Sequence, residues 1–218
     1  MRAMILAAGR GERMRPLSDT TPKPLLRVAG KPLILWHIEN LKKAGFEEIV
    51  INIAHLGEQI VDFLSDGGKF GVKIHYSDER DKGALESAGG IKKALDFLSE
   101  TFLVVNGDIF CSYEFNADFT LHNSLAHLIL VPNPPHNTQG DFGLKNSLLT
   151  FDTPRYTFSG IGYYSKALFE SVELQKGPLA PLLRQHITKN EISGELFNNM
   201  WHDIGTPQRL KEINEIYV

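Results

Sequence analysis

Over its first half the chain repeats one pattern, a short apolar run followed by an amphipathic stretch. The runs are RAMILAA (2–8), EEIVINIA (47–54), VKIHYSD (72–78) and TFLVVNGDIF (101–110). Between them lie LILWHIENLKKAG (33–45), EQIVDFLSDG (58–67) and AGGIKKALDFL (88–98). Apolar runs this short predict buried strands, and the 3.6-residue spacing of the intervening stretches predicts helices. In 33–45, Leu33, Trp36, His37, Leu41 and Ala44 share one stripe and Gly45 stops the helix. Strands and helices that alternate in this way build βαβ units, so the first half is expected to be a doubly wound α/β fold with helices on both faces of the sheet.

The second half changes character. AHLILVPNP (126–134), GDFGLKN (140–146), LLTFD (148–152), YTFSGIGYYS (156–165) and SGELFNNMWHDIG (193–205) read as strands separated by turn residues. LAPLLRQHIT (179–188) and PQRLKEINEIYV (207–218) read as helices, the latter with Thr206 at its N-cap and Pro207 at its first position. No repeat or linker divides the chain. One domain over 1–218 is therefore expected, its halves being 1–110 and 111–218.

Composition removes several function classes. A net charge of −3 over 218 residues argues against a general nucleic-acid-binding surface while leaving room for a local basic site. The single cysteine, Cys111, cannot close an intramolecular disulfide, and no Cys/His cluster has zinc spacing. MILAAG is too short for a secretory signal and no run is long enough to span a membrane, so a soluble cytoplasmic protein without a membrane partner is expected.

The local basic site is LAAGRGERMRPLSDTTPKPL (6–25), which follows the first strand directly. Loops at strand C-termini are where open α/β sheets bind ligands. Gly9 and Gly11 allow close backbone approach, so that main-chain N–H groups can face an anion. Arg10, Arg13, Arg15, Lys23 and Arg27 supply cations, and Pro22 and Pro24 hold Lys23 between them. A polyphosphate cradle and a solvated basic loop both account for this. Met14 stands where a third glycine would complete a dinucleotide fingerprint, and there is no Walker lysine.

Two aspartates could serve such a cradle. Asp108, in VNGDIF, ends the most apolar strand on the same sheet edge; it either holds Mg²⁺ beside phosphates or closes an Asn-Gly turn. Asp203, in WHDIGTP, either reaches the same mouth or caps the following helix. His202, alone, reads as structural.

Taken together, these segments resemble sugar-1-phosphate nucleotidyltransferases, whose signature is LAAGxGxRxxPLTxxxPKPL and whose two metal-aspartate segments resemble VNGDIF and WHDIGTP, in the same order. The resemblance runs from residue 3 to about 215. It implies a Rossmann-like, mixed but mostly parallel sheet of nucleotidyltransferase type, with a nucleotide-binding first half and a sugar-binding second half. It also implies that Ala8, Gly9 and Gly11 wrap a nucleoside triphosphate, that Arg13 grips its β/γ phosphates and Lys23 its α-phosphate, and that Asp108 and Asp203 hold Mg²⁺. Arg13, Lys23 and Asp108 would be the catalytic set. LESAGGI (85–91) is similar to the loop that faces the base, with Gly89 contributing to nucleotide binding. Asn106, Asp141, Gly143, Ser159 and Gly160 fall where the family contacts the sugar, although each also reads as a turn or strand-end residue.

Within the family, EIVINIAHLG, AHLILVPNP, GDFGL, TFSGIG, LAPLLRQ and ISGE resemble the branch that couples UTP to N-acetylmuramate 1-phosphate in cell-wall recycling. GDP-mannose formation and an inactive NDP-sugar-binding protein are the alternatives. Glu12 stands where the wider family carries Thr or Ser, and Ser87-Ala88 replaces a glycine pair.

Overall fold

The computed structural model describes residues 1–81 and 83–217. In chain order, β1 (Arg2–Leu6) leads into the basic loop, which is folded as 3-10 turns at Glu12–Met14, Leu17–Asp19 and Lys23–Leu25. There follow β2 (Arg27–Val28), β3 (Lys31–Pro32), α1 (Leu33–Lys43), β4 (Glu48–Ile53), α2 (Gly57–Leu64), β5 (Lys73–Asp78), α3 (Glu86–Ala94), β6 (Thr101–Asn106) and β7 (Ile109–Cys111). The second half supplies β8 (Ala126–Val131), β9 (Phe142–Lys145), β10 (Leu148–Thr150), β11 (Arg155–Ser165), α4 (Leu179–Ile187), β12 (Ile192–Leu196), β13 (Trp201–Asp203) and α5 (Pro207–Ile216). Among the described residues no helix is long and apolar enough to cross a membrane.

One nine-stranded sheet runs through both halves in the order β5-β4-β1-β6-β11-β8-β12-β10-β9. Its first four strands are parallel, as the alternating pattern predicts. The long β11 then inserts antiparallel between β6 and β8, and β9 and β10 form an antiparallel edge. Parallel pairing returns only between β12 and β8. The sheet is therefore mixed, and the mostly parallel character expected of it belongs to the first half alone.

Period-two alternation sorts the strand side chains onto two cores. Ala3, Ile5, Ile49 and Ile51 face one side, where Ile34, Ile38 and Leu41 of α1 and Ile60 and Leu64 of α2 cover them. Met4, Val50 and Val104 face the other, beneath Ile91 of α3 and Leu179, Leu183 and Ile187 of α4. Cutting any of the buried leucines or isoleucines among these to Ala costs about 2–5 kcal/mol. A third cluster lies under the basic loop: Met14, Leu26 and Val28 pack with Leu33, Phe110, Ile204 and Ile213. These apolar anchors fix a loop whose arginines stay at the surface.

Two expected strands are each divided in two. TFLVVNGDIF breaks at Gly107, whose amide donates to Leu6 O at 2.9 Å and whose position leaves no room for a side chain, a Cβ there coming within 2.7 Å of that same oxygen. SGELFNNMWHDIG breaks after Leu196, so that β12 joins the main sheet while β13 pairs antiparallel with β7 in a separate ribbon. The expected cap of the last helix is present, with Thr206 Oγ1 accepting from Arg209 N at 3.2 Å.

Candidate active site

Sheet register brings three strand ends into one row. Leu6, the last residue of β1, is paired with Asn52 of β4 on one side and Asn106 of β6 on the other. The chain leaves β1 toward β4 and only later returns to β6, so this is the point where strand order reverses, the usual ligand crevice of an open α/β sheet. A cavity of about 610 Å³ opens there, lined by Ala7–Glu12, Lys23, Asn52, Glu86, Ser87, Asn106, Gly107 and Asp108.

The loop after β1 presents its backbone to this cavity. Gly11 adopts φ +63°, a left-handed conformation that favours glycine, and its carbonyl accepts from Met14 N at 2.7 Å and Ser18 Oγ at 2.8 Å. Among the described residues, the N–H groups of Ala8, Gly9, Arg10 and Gly11 donate to no protein acceptor. Open donors on a glycine loop, with Arg10 and Lys23 beside them, form an anion cradle. Lys23 is largely buried, and its Nζ lies 2.5 Å from Asp108 Oδ2. Arg13 is exposed and is not among the residues lining the cavity, whereas Arg10 is. Arg15 pairs with Asp19 at 3.2 Å and turns away.

Behind the cradle lies a buried polar bridge. Glu79 is 0 % exposed, yet both of its oxygens are occupied: Oε1 accepts from Asn52 Nδ2 at 2.7 Å and Oε2 from Leu85 N at 2.7 Å. Asn52 Oδ1 in turn accepts from Ala7 N at 2.8 Å. This chain of bonds ties the loop after β1 to the 85–91 loop across β4 and β5. Neither Asn52 nor Glu79 was anticipated, although one polar residue inside the apolar run EEIVINIA was an available signal. Gly90 lies against this bridge, where a Cβ would come within 2.8 Å of Glu79 Oε1.

A second cavity, of about 270 Å³, adjoins the first and shares Leu6, Ser87 and Asn106 with it. Asp141 and Gly160, two of the residues that the resemblance assigns to the sugar, line it. Asp141 Oδ2 accepts from Phe158 N at 2.8 Å, and Gly160, at φ +81°, passes so close to Asn106 that a Cβ would come within 2.5 Å of its Nδ2.

Besides Arg13, four expected residues lie elsewhere. Ser159 is buried, its Oγ accepting from Ile161 N at 3.1 Å and its carbonyl accepting from Trp201 Nε1 at 3.0 Å. Gly143 sits inside the β9–β10–β11 edge, where a Cβ would come within 2.3 Å of Asp152 O. Gly89 does not line the cavity, its amide donating to Gly177 O at 3.3 Å. The fourth is Asp203. Its neighbour Ile204 donates from N to Asp108 O at 2.7 Å, but the Asp203 carboxylate faces a third cavity, where it pairs with Arg209 and lies 3.1 Å from His136 Nε2. That bond brings the backbones of the two aspartates together, while their side chains line different cavities.

For a divalent cation, the donor chemistry at the first cavity fits. Asp108 offers hard oxygens at the cradle, and the ammonium of Lys23 already occupies a cation position against them. Among the described residues no three His, Cys, Asp or Glu side chains cluster as a metal cage. One or two carboxylates are, however, what a Mg²⁺ ion held mainly by substrate phosphates requires.

Comparison with known proteins adds the following. The family model described as nucleotidyl transferase matches residues 2–147. The chain is 53% identical to the N-acetylmuramate alpha-1-phosphate uridylyltransferase of Neisseria meningitidis serogroup B, over 97% of this chain and 96% of that protein. It is 35% identical to a UTP–glucose-1-phosphate uridylyltransferase of Synechocystis, over 69% of this chain and 43% of that protein. The solved structure of the CTP:phosphocholine cytidylyltransferase of Streptococcus pneumoniae superposes with a TM-score of 0.79 at 23% identity, covering 100% of this chain and 99% of that one.

Proposed function

Because this chain belongs to the nucleotidyl transferase family, we propose that it is an enzyme of the 2.7.7 class. It would join UTP to N-acetylmuramate 1-phosphate, giving UDP-N-acetylmuramate and pyrophosphate, in the cytoplasm as a step of cell-wall recycling. The observation that carries the reading is that two adjoining cavities meet at Asn106, with the Lys23–Asp108 pair at the phosphate end of the larger one. Similarity to the Neisseria uridylyltransferase over nearly the full length of both chains supports the choice of base and sugar.

In the proposed reaction an oxygen of the sugar phosphate attacks the α-phosphorus in line. The new P–O bond forms as the bond to the bridging β-phosphate oxygen breaks, and pyrophosphate leaves. The attacking phosphate has a second pKa near 6 and is already ionised at neutral pH, so no general base is needed. Catalysis is then positioning and charge neutralisation. The open N–H groups of residues 8–11 and the Arg10 guanidinium receive the triphosphate, and Lys23, between two prolines, meets the α-phosphate with little side-chain freedom left to lose. Arg13, at the exposed rim, would serve the outer phosphates. Asp108 would hold Mg²⁺, and Asp203 would be its second carboxylate, released from Arg209 and His136. When bound, the ion neutralises charge developing on the phosphate oxygens. Asn106, Asp141 and Gly160 orient the sugar.

A pyrophosphate-release screen over four nucleoside triphosphates and several sugar 1-phosphates tests the reading. Release with UTP and N-acetylmuramate 1-phosphate is expected. Preference for GTP with mannose 1-phosphate would replace the substrate pair, and release with no pair would indicate a binding protein.

A further inference from the structure

The smaller cavity carries a charge that the transfer chemistry leaves unused. Arg184 of α4 lines it, one helical turn beyond the small Ala180, which lines it too. Arg184 is exposed at the rim, and among the described residues its side chain joins no ion pair and no hydrogen bond. Among the described residues it is the one cation lining this cavity. Among the described residues Asp141 is the one acidic lining residue, and one of its oxygens is engaged, Oδ2 accepting from Phe158 N at 2.8 Å and Asn137 Nδ2 at 3.3 Å.

For a neutral sugar this arrangement is surplus. Hydroxyl and amide groups are served by Asp141 and Asn106, and a guanidinium with nothing to pair with contributes little. Its planar fork matches a carboxylate. N-acetylmuramate differs from N-acetylglucosamine by a lactyl ether at O3 that ends in a carboxylate.

We infer that Arg184 is a specificity-determining residue that pairs with the carboxylate of an acidic sugar 1-phosphate and so separates N-acetylmuramate 1-phosphate from its neutral counterparts. The inference rests on the sugar assigned above and adds the residue that enforces it. A site built around a charged hydrogen bond discriminates against an analogue lacking the charge more sharply than an apolar pocket discriminates by size.

The test compares kcat/KM with UTP for N-acetylmuramate 1-phosphate, its lactyl amide, and N-acetylglucosamine 1-phosphate, in the wild type, Arg184→Gln and Arg184→Lys. The wild type should favour the acid over the amide by about tenfold or more. Arg184→Gln should erase that ratio, mainly through the sugar KM, and Arg184→Lys should keep part of it. Because the readout is a ratio between substrates, partial misfolding of a variant does not move it. Equal use of acid and amide by the wild type, or an unchanged ratio in Arg184→Gln, overturns the inference while leaving the proposed function standing. A wild type that turns over none of the three with UTP overturns both.

Discussion

Lys23 and Asp108, far apart in sequence, meet at 2.5 Å where the basic loop closes over the end of β6. Proline on either side of Lys23 and the Gly107 turn before Asp108 fix both partners from the backbone. The cavity thus holds a lysine and a carboxylate already neutralising each other, each available to exchange its partner for a phosphate or a metal ion.

Replacing Lys23 should damage turnover more than substrate capture. Lys23→Ala is expected to lower kcat by about 10²–10³-fold, the range for loss of one charge-stabilising group, with the sugar 1-phosphate KM changed only a few-fold. Steady-state kinetics by pyrophosphate release would measure this, and an unchanged kcat would remove Lys23 from the α-phosphate.

Chelation should abolish activity and added Mg²⁺ should restore it. In Asp108→Asn the lysine loses its carboxylate and the ion loses a charged ligand, so the Mg²⁺ concentration for half-maximal rate should rise and kcat should fall. Full activity in EDTA would sink the metal assignment.

The Asn52–Glu79 bridge should be costly to break. Asn52→Leu leaves Ala7 N and one Glu79 oxygen without protein partners, a loss of about 2–6 kcal/mol at about 1–3 kcal/mol per buried group. Asn52→Asp, nearly the same size, should also destabilise because it sets a second carboxylate beside the first. Urea unfolding would read both, and wild-type stability in either variant would contradict the role.

His37 predicts a pH dependence of stability. Burial lowers its pKa from 6.5 to about 4, against the opposing pull of the Asp108 charge and a backbone hydrogen bond with Ile109. Between these values the unfolded chain binds a proton that the folded chain does not. Stability is therefore fully present above about 6.5 and declines as pH falls toward 4, at up to about 1.4 kcal/mol per pH unit. His37→Gln should lose this part of the slope; equal slopes in urea titrations at several pH values would refute it.

The first half was legible because its signals are local. Buried runs, helix stripes and the proline-framed lysine declare themselves within a few residues, and β1, α1, β4 and β6 lie where the periodicity puts them. What could not be read depends on contacts between distant segments. Nothing near Ser159 or Gly143 announces that β11 will be enclosed between β6 and β8 and bordered by β9. The direction of the Asp203 side chain follows from its register against β7, and Arg209, which captures it, is a turn away on α5. Arg184 reads in sequence as an ordinary charge on an amphipathic helix.

The buried bridge behind the cradle also bears on how such a protein can change over time. Residues 52, 79 and 90 occupy one space: an amide, a carboxylate that needs it, and a glycine that leaves room for both. A substitution at any one of them alone strands a buried polar group or introduces a clash, so these positions should drift as a set. Across relatives they should covary.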